Sequence, residues 1–215
     1  MKQYYRDMLR NSYKKDYGIF EPMICYETSE WNARIYRCAK RILSAICFRE
    51  TAESAYRKAG SKNLPLIGFY YSLFHMGVAM LCVEYTSPLP KLTKIRHQTL
   101  QNLIQDKLIE KSFIPLKYLD LLIELKDIRE YANYSFGYNF EDKTDSYYKR
   151  TGHAFNSALN LIKMISNEIN EEPSLLLQIN AIIGDVIGDD IYMAYLSKDD
   201  MESVNEYLIL KNLTT

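Results

Sequence analysis

Three histidines, His75, His97 and His153, are the side chains in this sequence that ordinarily titrate near neutral pH, and His97 directly follows Arg96. An imidazole can take or give a proton, and a guanidinium beside it can hold a phosphate. Arg96 and His97 could therefore complete a site for chemistry at a phosphate, with the imidazole supplied from the start of one helix to a cleft formed with its neighbours. A second cation, Arg129, heads the segment Arg129-Glu130-Tyr131-Ala132-Asn133-Tyr134. It is followed by Ser135 to Asp145, reading SFGYNFEDKTD, a stretch rich in turn formers and the best candidate for a functional loop.

Each of these residues also has a plain structural reading. His97 can cap or bridge helices, His75 sits inside an apolar run as a hydrogen-bonded core residue would, and His153, after Gly152, reads as exposed. Arg129 has Asp127 and Glu130 nearby and could serve an ordinary salt bridge. The 19 tyrosines, several of them paired as in Tyr4-Tyr5, Tyr70-Tyr71 and Tyr147-Tyr148, supply rings to bury and hydroxyls that need partners. They can line core edges or form a stacking platform.

Other chemistries find little support. The chain contains no Gly-Lys phosphate loop, no dinucleotide fingerprint, no His-Glu-x-x-His and no Gly-x-Ser-x-Gly. Asp185, Asp189 and Asp190, beside Gly184 and Gly188, could form a metal ligand set or a solvated polar face, and the latter is the reading adopted. Cys25, Cys38, Cys47 and Cys82 fit neither a zinc spacing nor a compact disulfide framework, and buried free thiols are expected. No metal and no cofactor is implied. Lys plus Arg equals Asp plus Glu, at 27 each, so any contact with nucleic acid must be a local patch rather than a global field.

The elements that must position these residues are helices. Eight Gly and six Pro in 215 residues leave long uninterrupted segments, which makes the expected class all-α. An N-terminal arm, residues 1–28, carries a short amphipathic piece that stops at Gly18. From Ser29, the residues Trp31, Ile35, Cys38, Ile42 and Ala45 repeat at helical steps towards a stop near Gly60. Pro65 suits the first turn of an apolar helix from Leu66 to Tyr85, with Pro88 and Pro90 ending it. A fourth helix is expected from about Thr93 to Glu110, and a fifth from Pro115 to about Tyr134. The sixth, from about Thr144 to Asn170, has Ala154, Ala158, Leu161, Ile165 and Ile169 on one face. Glu171-Glu172-Pro173 marks a boundary, after which residues 171–215 read as a helical appendage with helices over Leu175 to Leu196 and from Ser197 to Leu210. The first residues lack a signal-peptide pattern and no run approaches 18 apolar residues, so a cytoplasmic chain without a membrane span is expected.

Three stretches occur in an order that resembles bacterial HEPN proteins. Gly68-Phe-Tyr-Tyr-Ser-Leu-Phe-His-Met-Gly-Val-Ala-Met-Leu81 resembles their paired-tyrosine helix. Lys94-Ile-Arg-His97 resembles the basic start of the following helix, and Arg129-Glu-Tyr-Ala-Asn-Tyr134 resembles their Arg-x-x-x-Asp-Tyr signature. The resemblance implies a HEPN-like helical bundle over residues 29–170, a homodimer, and action on RNA in a toxin–antitoxin or antiphage setting. It also allows a module that binds a nucleotide or a partner such as a nucleotidyltransferase. Under it, Arg129 would hold phosphate with His97 or Tyr134 assisting, while Arg96, Tyr70, Tyr71 and Asn133 would contact RNA or nucleotide. The nuclease members carry Arg-x(4 to 6)-His on the later helix, and here no histidine follows Arg129 at that spacing. Cleavage would then need a base from elsewhere, because a tyrosine with its ordinary pKa near ~10 is a poor one.

Overall fold

The computed structural model describes residues 30–58, 63–134, 144–169 and 175–188, and all regular structure among them is helical. The helices are α1 (Glu30–Lys58), α2 (Asn63–Glu84), α3 (Leu89–Thr93), α4 (His97–Ile104), α5 (Lys117–Tyr134), α6 (Thr144–Ile169) and α7 (Leu175–Gly188), with one π-helical stretch over Gln105–Ile109. The expected all-α class is what the chain adopts. The N-terminal arm, the loop over 135–143, the boundary at 170–174, Asp189 and Asp190, and the expected last helix lie outside the described residues.

The core is organised around α2, which is apolar on nearly every side and packs against α1, α5, α6 and α4. It is long and apolar enough to cross a membrane by length and composition, yet it is mostly buried inside the bundle. Covering a helix with no polar face requires neighbours all around it, and that removes a large apolar area from water. On α1 the expected face is buried at Ile35, Cys38, Ile42 and Ala45, and on α6 at Ala154, Ala158, Leu161 and Ile165. Helix α7 adds Leu175, Ile179, Ile182 and Ile183 to the same core. Cys38 and Cys82 are buried free thiols and Cys47 is half-buried.

Helices α1 and α2 run antiparallel at short range. At one end of the pair, a Cβ added to Gly68 would fall 2.7 Å from Cβ of Ala52 and 3.0 Å from the Phe48 carbonyl oxygen, so only glycine permits this approach. At the other end the buried Arg34 guanidinium donates to the carbonyls of Cys82 and Ser87 and lies 4.7 Å over the Tyr85 ring. A cation there complements the negative end of the α2 dipole and occupies carbonyls that the helix leaves without partners.

The end of α2 differs from the expectation. Tyr85 takes a left-handed φ of 69°, and the buried Glu84 carboxylate turns to accept the backbone N–H groups of Thr86 and Ser87, each at 3.1 Å, as well as Lys111 at 3.1 Å. These contacts stop the helix before either proline. Pro88 and Pro90 instead start α3, as proline does at a helical first turn. The expected single helix from Thr93 to Glu110 is broken, because Arg96 is extended (φ −89°, ψ 157°) and caps a new helix at His97. Leu92 on one side of the break and Leu100 on the other are both buried, so each half is anchored to the core.

Candidate functional site

That break places His97 at the first position of α4, facing α2 and α5. Tyr70 and Tyr71 come from the middle of α2, and Arg129 comes from the last two turns of α5. Nη1 of Arg129 donates to the Tyr71 hydroxyl at 3.2 Å and makes a long contact of 3.4 Å with Nε2 of His97. Nδ1 of His97 is hydrogen-bonded to the Tyr70 hydroxyl. The Arg129 guanidinium lies 5.1 Å from the centre of the Tyr70 ring and 5.9 Å from that of Tyr71, within cation–π range of both. The Phe74 ring meets His97 edge-on at 5.1 Å. Four residues singled out in the sequence, Tyr70, Tyr71, His97 and Arg129, therefore converge from three helices.

Hydrogen-bond chemistry fixes the imidazole's state. A guanidinium can only donate, so Nε2 of His97 must present its lone pair to Arg129, and the ring proton must sit on Nδ1 and be donated to the Tyr70 oxygen. The charge state agrees, since burial first, then the cations of Arg129 and Lys126, lower the His97 pKa from its ordinary value. Burial pushes the Tyr70 phenol well up, so it stays protonated. For Arg129, burial acts to lower the pKa, but the Tyr71 hydroxyl and the oxygens of Tyr70 and Glu130 prevail and raise it. The site therefore holds a permanent cation, a neutral imidazole whose Nε2 lone pair faces that cation, and two phenols.

Glu130 closes the edge of this constellation. Its Oε1 accepts from Nη2 of Arg129 at 3.2 Å and from Lys126 at 3.3 Å. The Arg129 side chain is only 13 % exposed against 43 % for that of Glu130, so the carboxylate sits on the solvent side of the guanidinium. The salt bridge foreseen as an alternative for Arg129 is thus present, made with Glu130, whereas Asp127 pairs with Lys126. A surface ion pair of this kind is weak and exchangeable. Nε of Arg129 is buried with no hydrogen-bond partner among the described residues.

The remaining candidates fall elsewhere. The Arg96 side chain is exposed, and its carbonyl accepts Leu100 N–H at 2.9 Å as the start of α4. Its side chain makes no hydrogen bond or ion pair with the described residues and does not join the Arg129 cluster. The side chains of Asn133 and Tyr134, at the end of α5, lie outside the described residues. His153 is exposed, as expected, and lines a separate cleft of about 240 Å³ with Lys117, Tyr118 and Arg150. Among the described residues no group of three His, Cys, Asp or Glu side chains is placed to hold a metal ion.

A second arginine–histidine pair adjoins the first. Nη1 of Arg41 donates to Nδ1 of His75 at 2.9 Å, and Phe48 stacks on both His75 (5.4 Å) and Tyr71 (5.1 Å). Reading α1 as a core helix misses Arg41 and Phe48. The available signal is the series Arg37, Arg41, Ser44 and Phe48, whose steps of four and three set two cations and a ring on one helical face.

His75 is hydrogen-bonded as expected but half-buried rather than fully in the core, and burial followed by the Arg41 charge lowers its pKa to about 4. Below the ordinary histidine pKa near 6.5 the unfolded chain binds a proton that the folded chain refuses. His75 should therefore cost the fold on the order of 3 kcal/mol as pH falls from 6.5 to 4, with no further loss below that. Urea unfolding of wild type and His75→Gln at pH 7 and pH 4.5 measures this. The expected result is a smaller acid loss in the variant, and equal losses would refute the assignment.

Compared with known proteins, the chain matches no family model, no curated sequence and no solved structure.

Proposed function

We propose that this chain is a HEPN-type protein that binds RNA at Arg129 and His97 and cleaves it without a metal ion. The observation that supports this most is the 3.4 Å approach of the Arg129 guanidinium to the unprotonated Nε2 of His97. RNA cleavage by internal transesterification needs a base for the 2′-hydroxyl proton and a cation for the charge that builds on the phosphate. Once its long contact with Nη1 of Arg129 opens, Nε2 of His97 accepts that proton as O2′ bonds to phosphorus. The bond from phosphorus to O5′ breaks, leaving a 2′,3′-cyclic phosphate and a 5′-oxygen that takes a proton from water. Arg129 faces the phosphate through Nη2 once Glu130 is displaced. In this reading the base absent from the Arg-x(4 to 6)-His position is supplied by a different helix. The reading carries with it a homodimer and a toxin–antitoxin or antiphage setting, both from the resemblance alone, and the cytoplasmic location expected from the sequence.

The test is incubation of the purified protein with labelled single-stranded RNA, with and without EDTA. Fragments ending in cyclic phosphate, formed equally in EDTA, are expected. Intact RNA under conditions where a control nuclease cuts would exclude cleavage.

The Glu130 carboxylate on Nη2 of Arg129 favours a second reading, a non-enzymatic module that binds RNA, a nucleotide or a partner such as a nucleotidyltransferase. A gel shift without cleavage would select it.

A further inference from the structure

Phe48 is 38 % exposed, unusually so for a phenylalanine that already stacks on two rings. Its two partners, Tyr71 and His75, stand one turn apart on α2 and lie nearly parallel to it, with interplanar angles of 27° and 14°. Both partners belong to α2, and the exposure of Phe48 leaves part of its ring open to solvent. The aromatic row is continuous with the cluster around Arg129, because Tyr71 also accepts the Arg129 bond.

Cations bracket this row. At one end is Arg129 with His97, and at the other is Arg41 with His75, where Arg37 adds a second positive charge beside Arg41. The two imidazoles flank a single ring, that of Phe74, whose centre lies 5.1 Å from His97 and 5.6 Å from His75. Two arginine–histidine pairs thus stand at the two ends of one aromatic row. A flat ring between two cationic points suits an unpaired base, since a duplex hides its base faces within the stack.

We infer that this row of side chains takes single-stranded RNA, with Arg129 and His97 on one phosphate, Arg41 and Arg37 on another, and a base stacked on the exposed part of the Phe48 ring. The inference rests on the reading of Arg129 and His97 as a phosphate site, and it specifies the substrate as an unpaired strand longer than a dinucleotide. The equal totals of acidic and basic residues fit this, because attraction comes from one short row of cations rather than from a field able to hold duplexes of any sequence.

Fluorescence anisotropy on the full chain tests it, with three 2′-O-methyl probes that cannot be cleaved: a ten-nucleotide single strand, a dinucleotide and a duplex. The proteins compared are wild type, Phe48→Ala, Phe48→Trp, Arg41→Gln and Arg129→Ala, each checked for native helicity and melting. Wild type should prefer the ten-nucleotide strand. Phe48→Ala should bind that strand about tenfold more weakly, and Phe48→Trp should retain binding with its added emission quenched by the base. Arg41→Gln should weaken binding and flatten its salt dependence, and neither Phe48→Ala nor Arg41→Gln should alter binding of the dinucleotide. Wild-type affinity for the ten-nucleotide strand in both Phe48→Ala and Arg41→Gln, with loss only in Arg129→Ala, overturns this inference and leaves the phosphate site standing. A wild-type preference for duplex also overturns it. Wild type that binds no probe refutes the inference and the phosphate site together.

Discussion

Replacing Arg129 with alanine should lower the rate of RNA cleavage by about two to three orders of magnitude, the size of effect seen when one preorganised charge donor is removed from a reacting oxyanion. The guanidinium serves three partners at once, with Nη1 on the Tyr71 hydroxyl and against Nε2 of His97, and Nη2 on the exposed Glu130 carboxylate. The last must give way to a phosphate, and the long contact with His97 to the 2′-hydroxyl. Arg129→Lys should recover little, because an ammonium is a point charge that cannot keep the fork geometry across Tyr71 and phosphate together. Single-turnover cleavage of a labelled strand measures both variants, with circular dichroism and melting to confirm that they fold. A rate for Arg129→Ala within threefold of wild type would remove Arg129 from the chemistry.

His97→Gln should lose a further signature besides rate. Glutamine keeps hydrogen-bonding capacity but cannot take the 2′-hydroxyl proton, so a loss of about 10²- to 10⁴-fold is expected. Only neutral imidazole is active in the proposed step, and burial, Arg129 and Lys126 all oppose protonation. Wild-type rate should therefore rise with pH through a midpoint below the ordinary histidine value of 6.5 and be level above it. In His97→Gln that rising limb should vanish. In Lys126→Ala it should move to higher pH, because one of the opposing cations is gone. A pH–rate profile of His97→Gln with the limb intact would assign the titration to another group.

Much of this site is legible in the sequence, for identifiable reasons. Tyr70-Tyr71, His97 and Arg129 stand in three short stretches of distinctive composition, and helical periodicity places them on three separate helices. Their meeting is not legible, since Arg129 is 32 residues from His97 and 58 from Tyr71, and the approach depends on how α4 and α5 pack on α2. The break at Lys94 to Arg96 is hidden too. No glycine or proline stands between Thr93 and His97, although Leu92 and Leu100 on either side of the break are both buried. Phe48 and Arg41 look like an ordinary solvent face because their partners, Tyr71 and His75, belong to another helix. The end of α2 shows the opposite error, where Pro88 and Pro90 draw attention from Glu84 and Tyr85, which do the stopping.

The long sequence separations within the site also order events in time. A ribosome adding about 5–20 residues per second releases His97 roughly 2 to 6 seconds before Arg129. Until α5 has emerged, the nascent chain holds His97, Tyr70 and Tyr71 without Arg129. On the proposed reading, the cleavage site therefore forms only when α5 docks, after His97 and both tyrosines are already in place.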